Sequence, residues 1–148
     1  MLSDTLQLLF NRDLNRLKNE IEAYQSEEAI WKIEQNIANS TGNLCLHLAG
    51  NLQHFIGAVL GKSGYVRNRE LEFSAKNIPQ AELIQAIEKT IQVVDATLSK
   101  LTDGQIKSEY PLLVFESKTS TEYMLVHLAT HLGYHLGQVN YHRRLLDR

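Results

Sequence analysis

The chain has 148 residues, 43% apolar and 22% charged, the size and balance of one globular domain that can bury a core without disulfide or metal staples. Its 15 Lys and Arg stand against 17 Asp and Glu, and the formal charge of −2 supplies no bulk attraction toward nucleic acid or an anionic membrane. A single cysteine excludes an intrachain disulfide.

The opening MLSDTLQLLFNRDL lacks a basic region followed by a long apolar run, so no signal peptide is expected and the cytoplasm is the expected location. In the first periodic segment Leu6, Phe10, Asp13, Leu17, Ile21 and Tyr24 recur at steps of three and four, predicting an amphipathic helix over 3–25 with Ser3 or Asp4 as its cap. A second helix is predicted after Asn39-Ser40-Thr41-Gly42. Leu44, His47, Leu48, Asn51, Leu52, Phe55 and Val59 trace one face of it, and Gly61 and Gly64 end it. Cys45, between Leu44 and Leu46, reads as a small buried hydrophobe rather than a nucleophile. This longest apolar stretch is interrupted by His47, Asn51, Gln53 and His54, which rules it out as a membrane span.

The two prolines, Pro79 and Pro111, bracket a third helix whose stripe is predicted as Ile84, Ile87, Ile91, Val94, Leu98 and Leu101. Tyr110–Phe115 is β-prone but isolated, and no sheet is expected from it. A fourth helix opens on Thr119 and Glu122, spaced as a capping box, with Leu125, Leu128, Leu132, Leu136 and Val139 as its core stripe. Arg143, Arg144 and Arg148 fit a solvated last turn, where cations meet the carbonyl end of the helix dipole. The expectation is one all-α domain over residues 1–148, a four-helix bundle. The stretch from 62 to 79 is long enough to return the chain to the opposite end of the bundle. Eighteen extended residues reach up to ~60 Å, whereas a 22-residue helix spans only ~33 Å.

All six histidines fall on the second and fourth helices. His127, His131, His135 and His142 lie down one side of the fourth, and His47 and His54 down one side of the second. Histidines at i and i+4 bring two rings to one point, a suitable clamp for a metal ion. His127 and His135 stand roughly 12 Å apart along the axis, and His47 and His54 roughly 10 Å apart, so neither of these pairs can serve one ion. The site therefore takes one histidine from the second helix and an adjacent pair from the fourth, and spacing leaves 127/131 and 131/135 both open. A lone histidine on an apolar stripe is usually a hydrogen-bonded core residue; four on one side of one helix are harder to explain so. No HExxH motif occurs, and the fourth helix carries no ExxH pair of the di-iron bundles.

Two stretches resemble the DinB superfamily, the DinB/YfiT-like metal-binding bundles. They are Asn39-Ser40-Thr41-Gly42-Asn43-Leu44 continuing into His47-Leu48-Ala49-Gly50-Asn51-Leu52, and His131-Leu132-Gly133-Tyr134-His135-Leu136-Gly137-Gln138, which is similar to an HxxxHxGQ signature. Arg67-Asn68-Arg69-Glu70-Leu71-Glu72-Phe73 resembles a segment of a branch catalogued as a domain of unknown function. The likeness covers nearly the whole chain, weakly in the first and third helices. It implies His47, His131 and His135 as metal ligands, an up-down-down-up bundle with a long crossover between the second and third helices, and a homodimer. Members of the superfamily include thiol S-transferases and hydrolases.

Three imidazoles leave coordination positions open, the pattern of catalytic rather than structural zinc sites, and zinc or nickel suits an all-imidazole set. Asn51 and Gln138 are candidates to orient ligands or touch substrate, with ordinary interhelical bonding the alternative; His127 and His54 are candidates to orient ligands or act as bases, with a buried structural role the alternative that fits better. Arg67, Arg69 and Glu70 suit a solvated or loop-anchoring role at least as well as substrate binding. No residue stands out as a general base. The expected function is a metal-dependent thiol transferase or hydrolase acting on a small molecule, possible substrates including a thiol. The alternative is a non-catalytic metal-binding, interaction or stress-response protein.

Overall fold

The computed structural model describes residues 1–148. Four long or medium helices form the frame: α1 (Leu2–Ala23), α2 (Thr41–Leu52), then, beyond a short α3 (Arg69–Ser74), α4 (Gln80–Leu98), and, beyond a short α5 (Asp103–Lys107), α6 (Thr121–Leu146). A 3₁₀ turn at Glu28–Trp31 precedes α2, and a π-helical stretch at Gln53–Ala58 extends it. No helix is long and apolar enough to cross a membrane.

Cross-helix contacts fix the directions. Gln7 bonds Asp95 and Lys18 pairs with Glu88, so α1 and α4 run antiparallel. Asp13 lies beside Gly133, and Glu20 accepts from Asn140 and Arg143, so α1 and α6 run parallel. Gln53 reaches Thr90 while Gly61 meets Thr97, so α2 runs parallel to α4. Tyr24 bonds both Thr41 and His142, and His47 meets His131, so α2 runs against α6. The result is an up-down-down-up bundle in which α1 and α2 are diagonal, and the 59–79 segment is the crossover that two parallel neighbours require.

The core joins Leu6, Phe10, Leu14, Leu17 and Ile21 of α1 to Leu44, Leu48 and Leu52 of α2, Leu83, Ile87 and Val94 of α4, and Leu125, Leu128, Leu132 and Val139 of α6. Each such side chain, fully buried, contributes about 1.5–3 kcal/mol. Several local expectations shift. The inward stripe of α4 is Leu83, Ile87, Thr90, Val94, Thr97 and Leu98; Ile84, Ile91 and Leu101 only flank the core. Thr90 and Thr97 can face inward because each hydroxyl bonds the carbonyl one turn back. Leu136 likewise sits at the margin of the core. The cap of α6 is Ser120, not Thr119, and its Oγ accepts from the Tyr123 amide; the Thr119 carbonyl is engaged by the Tyr110 amide instead. The helix α1 starts at Leu2 without a side-chain cap, which places Ser3 and Asp4 inside its first turn. Of the terminal arginines, Arg143 is tied to Glu20 at 2.6 Å, while Arg144 lies over Tyr141. Tyr110–Phe115 forms no strand; one isolated bridge links Glu109 to Ser120.

Candidate metal centre

The sequence Ser40-Thr41-Gly42-Asn43 starts α2 and also anchors what surrounds it. Ser40 caps the helix through the Asn43 amide, and Thr41 bonds Tyr24. A Cβ at Gly42 would overlap the Trp31 ring, so glycine lets the 3₁₀ turn pack flat on α2. Asn43, 1% exposed, donates to the carbonyls of Glu72 and Ala75 at 2.9 Å each, holding α3 across the face of α2. One turn later α2 presents His47, and α6 brings His131 and His135 opposite it.

These three histidines converge, one nitrogen of each lying within 4.8 Å of the others, an arrangement that could hold a metal ion. Burial holds the Glu72 carboxyl back, but bonds from His47 and Arg67 outweigh it and keep the group below its usual range, hence ionised. A carboxylate only accepts, so the 3.1 Å contact to His47 Nδ1 requires that nitrogen to carry the proton. His47 Nε2 is then a free lone pair. Arg67 Nη2, 3.4 Å from the same Nδ1, therefore does not bond it and serves Glu72 instead. His135 Nδ1 donates to Gln138 Oε1 at 2.7 Å, which frees His135 Nε2 in the same way. His47 Nε2 and His131 Nε2 stand 3.2 Å apart. Two nitrogens bound at 2.0–2.1 Å to a tetrahedral ion stand about 3.3–3.4 Å apart, so the spacing fits a shared zinc-sized ion.

Electrostatics agree with neutral imidazoles. Burial, reinforced by His135, His47, His127 and Arg67, lowers His131 to about 4. Burial and His47 lower His135 against the opposing pull of Gln138. His131 Nδ1 and Asn51 Oδ1 are both buried without a partner.

Behind His47 lies a carboxylate support. Arg67 Nε and Nη2 each meet a Glu72 oxygen at 2.9 Å, a two-pronged pair that holds the carboxylate against His47. A Cβ at Gly50 would overlap that carboxylate, so glycine opens the cradle in which Glu72 sits. Phe73 packs on the His47 ring at 4.9 Å, and Arg69 lies over Phe73 at 5.3 Å. Arg67 is thus directed at the site, whereas Arg69 and Glu70 remain exposed. Glu72 is the residue that sequence reasoning did not single out. Its signal was its place in the Arg67–Phe73 segment, which names no role for it, and its partner stands 25 residues away.

The remaining candidates separate. His127 packs on Phe115 at 4.9 Å and stacks on His131 at 6.3 Å without joining the cluster. His54 lies in the π-helical stretch, its ring against Phe55. His142 is a structural link, its Nδ1 2.6 Å from the Tyr24 hydroxyl and its Nε2 2.9 Å from the Lys32 carbonyl. Cys45 is fully buried and its thiol is pushed up to about 12 by burial, which removes it as a nucleophile.

A family model described as a protein of unknown function (DUF1572) matches residues 6–148. No curated protein matches the chain.

Proposed function

We propose, from the premise that this chain belongs to the DUF1572 family of proteins of unknown function, that it is a divalent-metal-dependent enzyme of the DinB superfamily. The reaction is thiol transfer or hydrolysis on a small molecule. The observation that carries this reading is the cluster of three histidines, two of them with Nδ1 already engaged and Nε2 turned free. His47, His131 and His135 would hold the ion, with zinc or nickel the metals that suit three imidazoles. Such an ion supplies Lewis acidity, making water or a thiol a better nucleophile near neutral pH. The chain's own residues orient the donors. Glu72 and Arg67 fix the His47 ring, and Gln138 fixes His135. His127 and Asn51, on the turns next to the cluster, are the candidates to meet substrate. The protein acts in the cytoplasm as a homodimer, on neither nucleic acid nor membrane.

One observation favours the other reading, a non-catalytic metal-binding, interaction or stress-response protein. The carboxylate beside the cluster, Glu72, is committed to Arg67 and His47 and is not available as a general base. Cobalt substitution separates the two. An open coordination position takes up a small thiol or imidazole, and the visible spectrum changes. A cobalt spectrum indifferent to every small ligand means a closed site, and catalysis is then abandoned.

A further inference from the structure

A cavity of 730 Å³ runs from His135, the one member of the histidine cluster in its wall, along the C-terminal half of α6. His135 and Gln138 form one end of it, and Leu146 lies at the other, eleven residues further on, or about 16 Å along the helix axis. Ile37, Leu44, Tyr134, Tyr141, Leu145 and Leu146 make the wall largely apolar. The volume is within the range of sites for small organic ligands, about 300–1,000 Å³.

Its polar groups are unevenly placed. His142 lines the wall, but both ring nitrogens are already engaged by Tyr24 and Lys32, so it offers a ligand no bond. Glu34 and Arg148 are opposite in sign and select no net charge. Gln35 and Asn39 add neutral amides to the wall, and the His135 end is where a ligating head group would reach the ion. Ile37, Tyr134, Tyr141 and Leu145 are 40%, 68%, 64% and 63% exposed, a cluster of large apolar side chains beside a polar centre. Water is a poor cover for such a cluster, and an apolar ligand body is a good one.

We infer that this cavity receives the substrate of the metal centre, and that the substrate is a neutral, largely apolar molecule carrying one metal-ligating head group. The inference rests on the metal-binding reading above. The head meets the cluster beside His135, and the body lies along α6 toward Leu146.

Two hydroxamates that share a head and differ in tail test this on the zinc-loaded full chain by calorimetry. Each buried methylene is worth about fourfold in affinity. Octanohydroxamate should therefore bind at least ~60-fold tighter than acetohydroxamate, even with half of its six additional methylenes left in water. Ala38→Trp and Leu145→Glu alter the wall at exposed positions, where folding tolerates change. Each should cut the ratio of the two affinities at least tenfold. Equal affinities, or a ratio that survives both substitutions, overturn the inference. So does sedimentation showing a dimer for which Leu145→Glu does nothing but dissociate the copies, because the apolar rim is then an interface. A protein that holds no zinc defeats the metal-binding reading and this inference together. Zinc held and acetohydroxamate bound, with no advantage from the tail, defeats this inference alone.

Discussion

Glu72 Oε1 lies 3.1 Å from His47 Nδ1, and the same carboxylate is gripped from behind by Arg67. The contact sets the tautomer of His47 and turns its other nitrogen toward His131. A crossover segment thereby decides which atom α2 offers to the cluster.

That relationship predicts a graded loss. Glu72→Ala should weaken zinc binding about 10–100-fold, as loss of an orienting partner generally does, and Glu72→Gln less, since an amide oxygen still accepts from Nδ1. Gly50→Ala should act in the same direction by displacing the carboxylate. Chelator competition measures all three; unchanged affinity in Glu72→Ala would show that the support is ornamental.

Alanine at His47, His131 or His135 should abolish stoichiometric zinc, whereas His54→Ala and His142→Ala should retain it. Metal content of protein purified without a histidine tag reads this directly. Equal loss in the His142 variant would contradict the grouping.

The Tyr24–His142–Lys32 link should matter to stability alone. Tyr24→Phe or His142→Ala leaves a buried polar group unpaired and should cost about 1–3 kcal/mol in urea denaturation, with zinc content unchanged.

Acidification should destabilise the metal-free protein. Burial comes first among the causes that hold His54, His131, His135 and His142 below the ordinary histidine value, with His131 at about 4. Between about pH 6.5 and 4 the unfolded chain therefore binds more protons than the folded one, so stability is full above 6.5 and falls toward 4. Glu72 is lowered and contributes its own loss only further down. Urea melts across this window test the sign; a flat profile from pH 7 to 5 would be inconsistent with buried neutral imidazoles.

Zinc should stabilise without being needed for folding, because the apolar core is continuous through all four frame helices. At a hundred times its dissociation constant it should add about 2.7 kcal/mol, a rise of about 5–10 °C in Tm. The metal-free protein should keep its helical circular dichroism and melt cooperatively.

How far the sequence carried this picture follows from the range of each interaction. Four helical segments were legible because a 3.6-residue period is local, and so was the crowding of histidines on two of them. The rise per residue was enough to separate His127 from His135 and His47 from His54. Spacing could not choose between 127/131 and 131/135, since that depends on how far α2 is slid along α6, and packing sets the slide. The inward face of α4 moved to Leu83, Thr90 and Thr97 because two threonines satisfied their own hydroxyls and the chain beyond α2 approached closely at Gly57, in the π-helical stretch, and at Gly61 after it. Ser120 displaced Thr119 as the cap of α6 because Tyr110 claimed the Thr119 carbonyl. Glu72 joined the centre because Asn43 pins α3 and Gly50 leaves room for a carboxylate. Local periodicity shows which face a residue occupies; what that face meets is settled by contacts between residues far apart in the chain.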